Sequence, residues 1–304
     1  MLALIWPHTT TATTAYGKRV VDSFLSTLER AGDAQEGVVF DVGSNDGGWT
    51  KWLLRCAAKR GLAERIKVHM FEPQPRYAEA LRALASQEPG NRIQFHPFAA
   101  SSAGRTNLSF HLSYDRQTAS TVSAMARAYS PGRHGYRVIN VRSLDLAEFM
   151  HAAVSGRAHQ HGKIYSPLHQ STQVALFKCD IEGGEYELLP WLITTGVLCP
   201  VHHILVEWHL NALPPQKRLA ALGLRLAFDA LLRNGCGADE AYGTAPLQRL
   251  LIEHDEYPRN NRGEPVHGLP ELCDAQQKLE ESRKTKERRQ PGKHSRWSVH
   301  DEKE

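Results

Sequence analysis

Apolar residues along this chain follow two rhythms that alternate. Val21, Phe24, Leu25 and Leu28 recur at i, i+3, i+4 and i+7, which predicts an amphipathic helix ended by Gly32. The unbroken run Val38 to Val42, closed by Gly43, predicts a buried strand. Trp49, Trp52, Leu53, Cys56 and Ala57 return to helical spacing, with Lys51, Arg55 and Lys59 on the opposite face and Gly61 as the stop. A second strand, Lys67 to Phe71, runs into Glu72-Pro73-Gln74-Pro75, where the prolines forbid strand continuation and Pro75 suits a helix first turn. A helix through Tyr77, Leu81 and Leu84 and a third strand, Arg92 to His96, complete the first half.

The same order resumes with a strand at Val174 to Cys179, a helix near Glu185 to Thr195 and a strand at His203 to Glu207. A helix through Leu224, Phe228 and Leu231 and a late strand around Leu247 to Ile252 follow. Strands alternating with helices predict an α/β domain, with a parallel sheet covered on both faces. The middle is less regular. It offers a hairpin near Thr106 to Leu112, a polar loop from Tyr114 to Arg137, a short strand from Arg137 to Val141, a helix from Asp145 and a His-, Gly- and Ser-rich stretch from His151 to Thr172. We therefore expect a lead-in over residues 1–17, one domain over 18–273 with residues 101–172 as an acceptor-side region carrying an insertion, and a charged, disordered tail over 274–304.

Composition changes this picture in two places. The net charge of +4 arises in the tail, where Arg283 to Arg296 holds seven basic residues and one acid. The folded part is thus near neutral, which argues against a nucleic-acid-binding core and leaves polyanion contact to the tail alone. The five cysteines are scattered and form no C-x-x-C pair, so neither a disulfide framework nor a zinc site is expected, and a reducing, cytoplasmic setting is the simpler expectation. The apolar start, Met1 to Pro7, is too short to span a bilayer, so no membrane span is expected in this chain.

Candidate chemistry begins at the first strand's end. Asp41-x-Gly43-x-x-x-Gly47 sits where a strand turns sharply into a helix, and Gly43 permits the angles and close approach that a Cβ would block. The spacing lacks the G-x-G-x-x-G of a dinucleotide cradle. Asp41 and Asp46 would repel a diphosphate and favour a ligand bearing an ammonium group. Glu72, after the second strand, is placed to accept the hydroxyls of a ribose. A cationic nucleoside with an amino-acid tail satisfies all of these, and S-adenosylmethionine is that molecule. Its expected contacts are Asp41, Gly43, Ser44, Asn45, Gly47 and Glu72.

These residues resemble the FkbM family of methyltransferases. The likeness runs from about Val38 to His209, through Val39 to Gly47, Phe71-Glu72-Pro73, Ser143-Leu144-Asp145, Phe177-Lys178-Cys179-Asp180-Ile181-Glu182-Gly183-Gly184-Glu185 and Ile204 to His209. The resemblance implies a class I methyltransferase (Rossmann-like) three-layer sandwich, with a mostly parallel seven-stranded sheet whose last strand is antiparallel. It also implies O-methylation of a carbohydrate or another small-molecule hydroxyl.

A second acidic cluster lies beyond two neighbouring strand ends, at Asp180, Glu182, Glu207 and His209. A hydroxyl acceptor must lose a proton, to a general base or by way of a bound metal. His209 is the expected base because its ordinary pKa lies near neutrality, with Asp180 and Glu207 beside it. Asp180, Glu182 and Glu207 are the expected oxygen ligands should Mg²⁺ bind. Competing readings are a dehydrogenase, disfavoured by the turn, and a base N-methyltransferase, disfavoured because Asp180-Ile181-Glu182-Gly183 stands where an Asn/Asp-Pro-Pro-aromatic run would be needed. A non-catalytic S-adenosylmethionine-binding or scaffold protein is the third.

Overall fold

The structure, a computed structural model, describes residues 13–87, 89–102, 104, 107–113, 119–120, 136–155, 173–210, 213–235 and 250–253. Contacts divide the chain into a unit spanning Met1–Pro265 and a second spanning Val266–Glu304, and every described residue belongs to the first. The charged tail over 274–304, residues 114–118 and 121–135 of the polar loop and the His-rich residues 156–172 lie outside the described residues, as do residues 1–12 of the lead-in.

The central sheet is built from β1 (Glu36–Val42), β2 (Ile66–Phe71), β3 (Ile93–His96), β8 (Gln173–Cys179), β9 (His203–Val206) and β10 (Leu250–Glu253), in the order β10-β9-β8-β1-β2-β3. Each neighbouring pair is parallel. All of β1 from Gly37 to Val42 is buried, as its unbroken apolar run requires of a strand covered on both faces. Val38, Phe40 and Val42 point into a core shared with α4 (Leu146–Ser155), α5 (Glu185–Thr194) and α6 (Pro215–Gly235), through Met150, Leu189 and Phe228. On the opposite face α1 (Thr13–Arg30) buries Val20, Phe24, Leu25 and Leu28, and α2 (Gly48–Lys59) buries Trp52 and Leu53. Arg60, just past α2, donates to Asp22 and Ser26 of α1 and ties those helices together. Helix α3 (Ala78–Gln87) follows β2 and buries Leu81 and Leu84. The result is three layers.

Several expectations are corrected here. The seven strands with an antiparallel last one are not what the described residues form, because they give six strands and β10 lies parallel on β9. Helix α1 begins at Thr13, inside the expected lead-in. A second sheet was also not foreseen as such. It comprises β4 (Ala99–Ser101), β7 (Tyr136–Asp145), β5 (Asn107–Ser113) and β6 (Ala119–Ser120), in that order, with β5 antiparallel to both β7 and β6. Finally, Cys56 and Cys199 each take part in a disulfide, contrary to the expected absence of disulfides, and only Cys179 is a free, buried thiol among the described residues.

Candidate active site

Strand order reverses between β8 and β1, and ligands of open α/β sheets bind beyond the strand ends at that point. The register fixes the first contacts there. Asp41 of β1 lies beside Lys178 of β8, and Val42 beside Cys179. Lys178 Nζ donates to Gly43 O at 2.7 Å and stands 3.2 Å from Asp41 Oδ1 and 3.6 Å from Asp180 Oδ2. One ammonium thus binds the glycine turn to the end of β8. Thr50 Oγ1 of α2 donates to the other Asp41 oxygen at 2.6 Å.

Gly43 has φ +82°, and a Cβ on it would come within 1.7 Å of Asp180 O. The glycine is required by the neighbouring strand end as well as by the turn. Gly47, at φ +78°, is pressed against Leu81 and Leu84 of α3. Asp46 Oδ1 accepts the Gly48 N–H at 2.8 Å, at the start of α2. Ser44 Oγ donates to Asp41 O at 2.7 Å. Asp41, Ser44 and Gly47 therefore build the turn from behind. Gly43 and Asn45, by contrast, line the cleft. Asp41 is thus fully buried against Lys178, and Asp46 is engaged with the Gly48 N–H.

The cleft is partly open to solvent and runs from Gly43 and Asn45 past Glu72 to the second sheet. Glu72 is 4% exposed and accepts the N–H groups of Asn45 and Gln74, each at 2.9 Å. Burial pushes its carboxyl up to about 7, against the opposing pull of those two N–H groups and Lys178. The sequence reading missed Gln74, the Ala99 to Ser102 segment after β3, and Leu108 and Phe110 of β5, all of which line the cleft. The position of Ala99 to Ser102, just past a strand's carboxyl end, was a usable signal; the β5 residues offered none. Behind the wall, His69 and His96 pack with Phe71 and Phe149, and burial lowers both imidazoles to about 4, so they are neutral packing groups at physiological pH.

At the far side the structure gathers Asp180, Glu182, Glu207 and His209. The loop after β8 places Glu182 at φ +54°, unusual for a residue with a side chain, and Gly183 at φ +97°. Glu185, fully buried at the start of α5, accepts the Ile181 and Gly183 N–H groups at 2.8 Å each and lies 3.0 Å from His209 Nδ1. Glu185 thus holds the Nδ1 side of the ring and turns Nε2 to the other acids. Nε2 stands 3.5 Å from Glu182 Oε2, 3.5 Å from Glu207 Oε1 and 3.8 Å from Asp180 Oδ1. Burial opposes the imidazolium, but Glu185, Glu207 and Glu182 together raise the His209 pKa well above its ordinary value. Burial also raises the carboxyls of Glu182 and Glu207, with neighbouring acids adding to it.

Two consequences follow for the expected roles. The acids around His209 favour its charged form, a pull that its ordinary pKa alone does not show. One ligand atom each from Asp180, Glu182 and His209 lie within 4.8 Å of one another, so the trio that could share a cation includes His209, in place of the Glu207 that the sequence suggested.

A parallel sheet reversing at β8 and β1, a glycine turn over that point and a buried carboxylate at the end of β2 define a Rossmann-like α/β domain. The family model described as the methyltransferase FkbM domain matches residues 41–221, and the chain belongs to that family of methyltransferases. No curated protein and no solved structure matches the chain. Among the described residues no helix is long and apolar enough to cross a membrane.

Proposed function

We propose that this chain is an S-adenosylmethionine-dependent O-methyltransferase acting on a hydroxyl of a carbohydrate or other small molecule. The family implies S-adenosylmethionine as its usual cofactor, and the cleft fits it on its own evidence. Glu72 is buried with lone pairs to spare, and the buried acceptors Asn45 Oδ1 and Gln74 Oε1 have no donor. A ligand rich in O–H and N–H donors meets all three. When bound, S-adenosylmethionine supplies an electrophilic methyl on a sulfonium sulfur. The observation that carries the O-methyl reading is the cluster Asp180, Glu207 and His209 beyond the ends of β8 and β9.

In this reading the acceptor oxygen forms the bond to the methyl carbon as the carbon–sulfur bond breaks. The products are a methyl ether, S-adenosylhomocysteine and a proton. The chain's part is alignment and removal of that proton. Glu207 accepts it, held by the His209 imidazolium, which Glu185 fixes in turn; Asp180 orients the acceptor hydroxyl. Asn45, Gly43 and Glu72 hold the donor, and Asp41, Ser44 and Gly47 keep their turn in shape.

The trio Asp180, Glu182 and His209 supports a second reading, in which a divalent cation acidifies the hydroxyl. The Glu185–His209 contact is the carboxylate–imidazole support usual behind metal-binding histidines. A nitrogen ligand moves the expected ion from Mg²⁺ toward Mn²⁺ or Zn²⁺. The bonded state of Cys56 and Cys199 supports an oxidising compartment over the cytoplasm.

His209→Ala and Asp180→Ala are expected to lower turnover on the acceptor by about 100-fold or more, while S-adenosylmethionine affinity stays within about twofold. Turnover assays paired with calorimetry, with and without chelation, check this. Wild-type turnover in both variants would remove the assignment.

A further inference from the structure

Helix α6 carries two apolar faces, where a helix packed on a sheet needs one. Ala221, Phe228 and Leu232, at i, i+7 and i+11, are buried. Leu219, Leu226 and Ala230 repeat that spacing two positions earlier, which is the opposite side of the helix. Leu219 is 81% exposed and Leu226 73%, and Ala230 is exposed as well. Leu222, half-buried, and Gly223, exposed, lie between them at i+3 and i+4 of the same row. No described residue stands within 4 Å of where a Cβ on Gly223 would be, so none covers the row there. An exposed leucine by itself is ordinary, but a row running about three turns along one helix marks a contact surface.

Charge decides what meets this row. Within α6, Lys217, Arg218, Arg225 and Arg233 are set against one acid, Asp229, and the first turn holds no acid. Lys217 and Arg218 are exposed and directly precede Leu219. A second copy laid on the row would bring two such sets of cations together, and like charges across an interface are penalised. An anionic surface meets them favourably. The chain holds another basic run, Arg283 to Arg296, with seven basic residues and one acid. An exposed apolar helix face and a polybasic run are complementary signals for an anionic bilayer. The first enters the headgroup boundary, and the second is drawn by lipid charge.

We propose that the outer face of α6 docks on an anionic lipid surface. Leu219, Leu222 and Leu226 enter the headgroup boundary, Lys217 and Arg218 meet lipid phosphates, and the Arg283 to Arg296 run adds electrostatic attraction. Such docking is peripheral and needs no membrane-crossing helix. No α6 residue lines the cleft, so the docking face is separate from the proposed donor site.

The test is co-sedimentation of the full-length protein with phosphatidylcholine vesicles, with and without phosphatidylserine, at low and high salt. Wild-type protein is expected to bind the phosphatidylserine vesicles about 10-fold or more tightly than phosphatidylcholine alone, and high salt should remove most of that gain. Leu219→Ser combined with Leu226→Ser should weaken the binding by about 10-fold or more and leave the circular dichroism unchanged. Should the double variant lose its helical signal, Leu219→Ser alone takes its place, with about threefold weaker binding expected. No binding of wild-type protein to phosphatidylserine vesicles would overturn the proposal. Undiminished binding by the folded variant would overturn it too, since the basic run would then act alone. A wild-type dimer that the variant converts to monomer in analytical ultracentrifugation would assign the row to a second copy and overturn it likewise.

Discussion

At Asp41 the carboxylate is fully buried, bonded to Thr50 on one side and beside the Lys178 ammonium on the other. Its place in the motif was legible from the sequence, but its task was not. Spacing alone cannot distinguish a carboxylate facing a ligand from one that holds the turn, because the partner, Lys178, is brought in by sheet register from 137 residues away. His209 teaches the same lesson. Its nearness to Glu207 is local, whereas the acids that charge its ring come from β8's end and from α5. Glu72, expected to bind the ribose, lines the cleft, and its burial has a measurable consequence. Its carboxyl titrates at about 7 in the ligand-free protein. Donor hydroxyls favour the ionised form, so binding must expel the proton wherever Glu72 carries one. Donor affinity is therefore expected to be level above pH 7 and to fall by up to about tenfold per pH unit below it. Calorimetry across pH 5.5 to 8.5 checks this, and Glu72→Gln should weaken binding and flatten that slope.

Among the elements, β1 and β8 could be read from the sequence because both faces of each are covered, which leaves a nearly unbroken apolar run, while β2 alternates buried apolar residues with Lys67 and His69 before it ends at the prolines. The second sheet could not. Residues Arg137, Val138, Asn140 and Arg142 of β7 are exposed, so no apolar alternation marks the whole strand, and β4 is three residues long. The sequence pattern accordingly suggested a strand ending at Val141, where the strand runs on to Asp145. Asp145 is also the best-defined helix start on this side. Its Oδ1 accepts the Ala147 N–H at 3.0 Å and the Glu148 N–H at 3.3 Å, capping α4, and it accepts the Trp191 Nε1–H of α5 at 3.1 Å. One oxygen thus joins the two helices that close the core under the cleft. Asp145→Ala is expected to destabilise the fold by about 1–2 kcal/mol. Chemical denaturation monitored by circular dichroism checks this, and Asp145→Asn should recover most of the loss.

For the molecule as a whole, the order of strands and the cleft above β8, β1 and β2 are what make the family assignment and the site agree. The match to residues 41–221 spans every group placed in the cleft or the acid cluster. The acceptor side was the least legible part. On the proposed reading it comprises the second sheet and the loop after β8, whose contacts join distant parts of the chain and leave no periodic trace. The central claim is that this cleft is a donor site for S-adenosylmethionine. Competitive titration of the full-length protein with S-adenosylmethionine and NADH tests it most directly. One-site binding of S-adenosylmethionine that NADH does not displace is the expected result; no binding of S-adenosylmethionine, or its displacement by NADH, would contradict the claim.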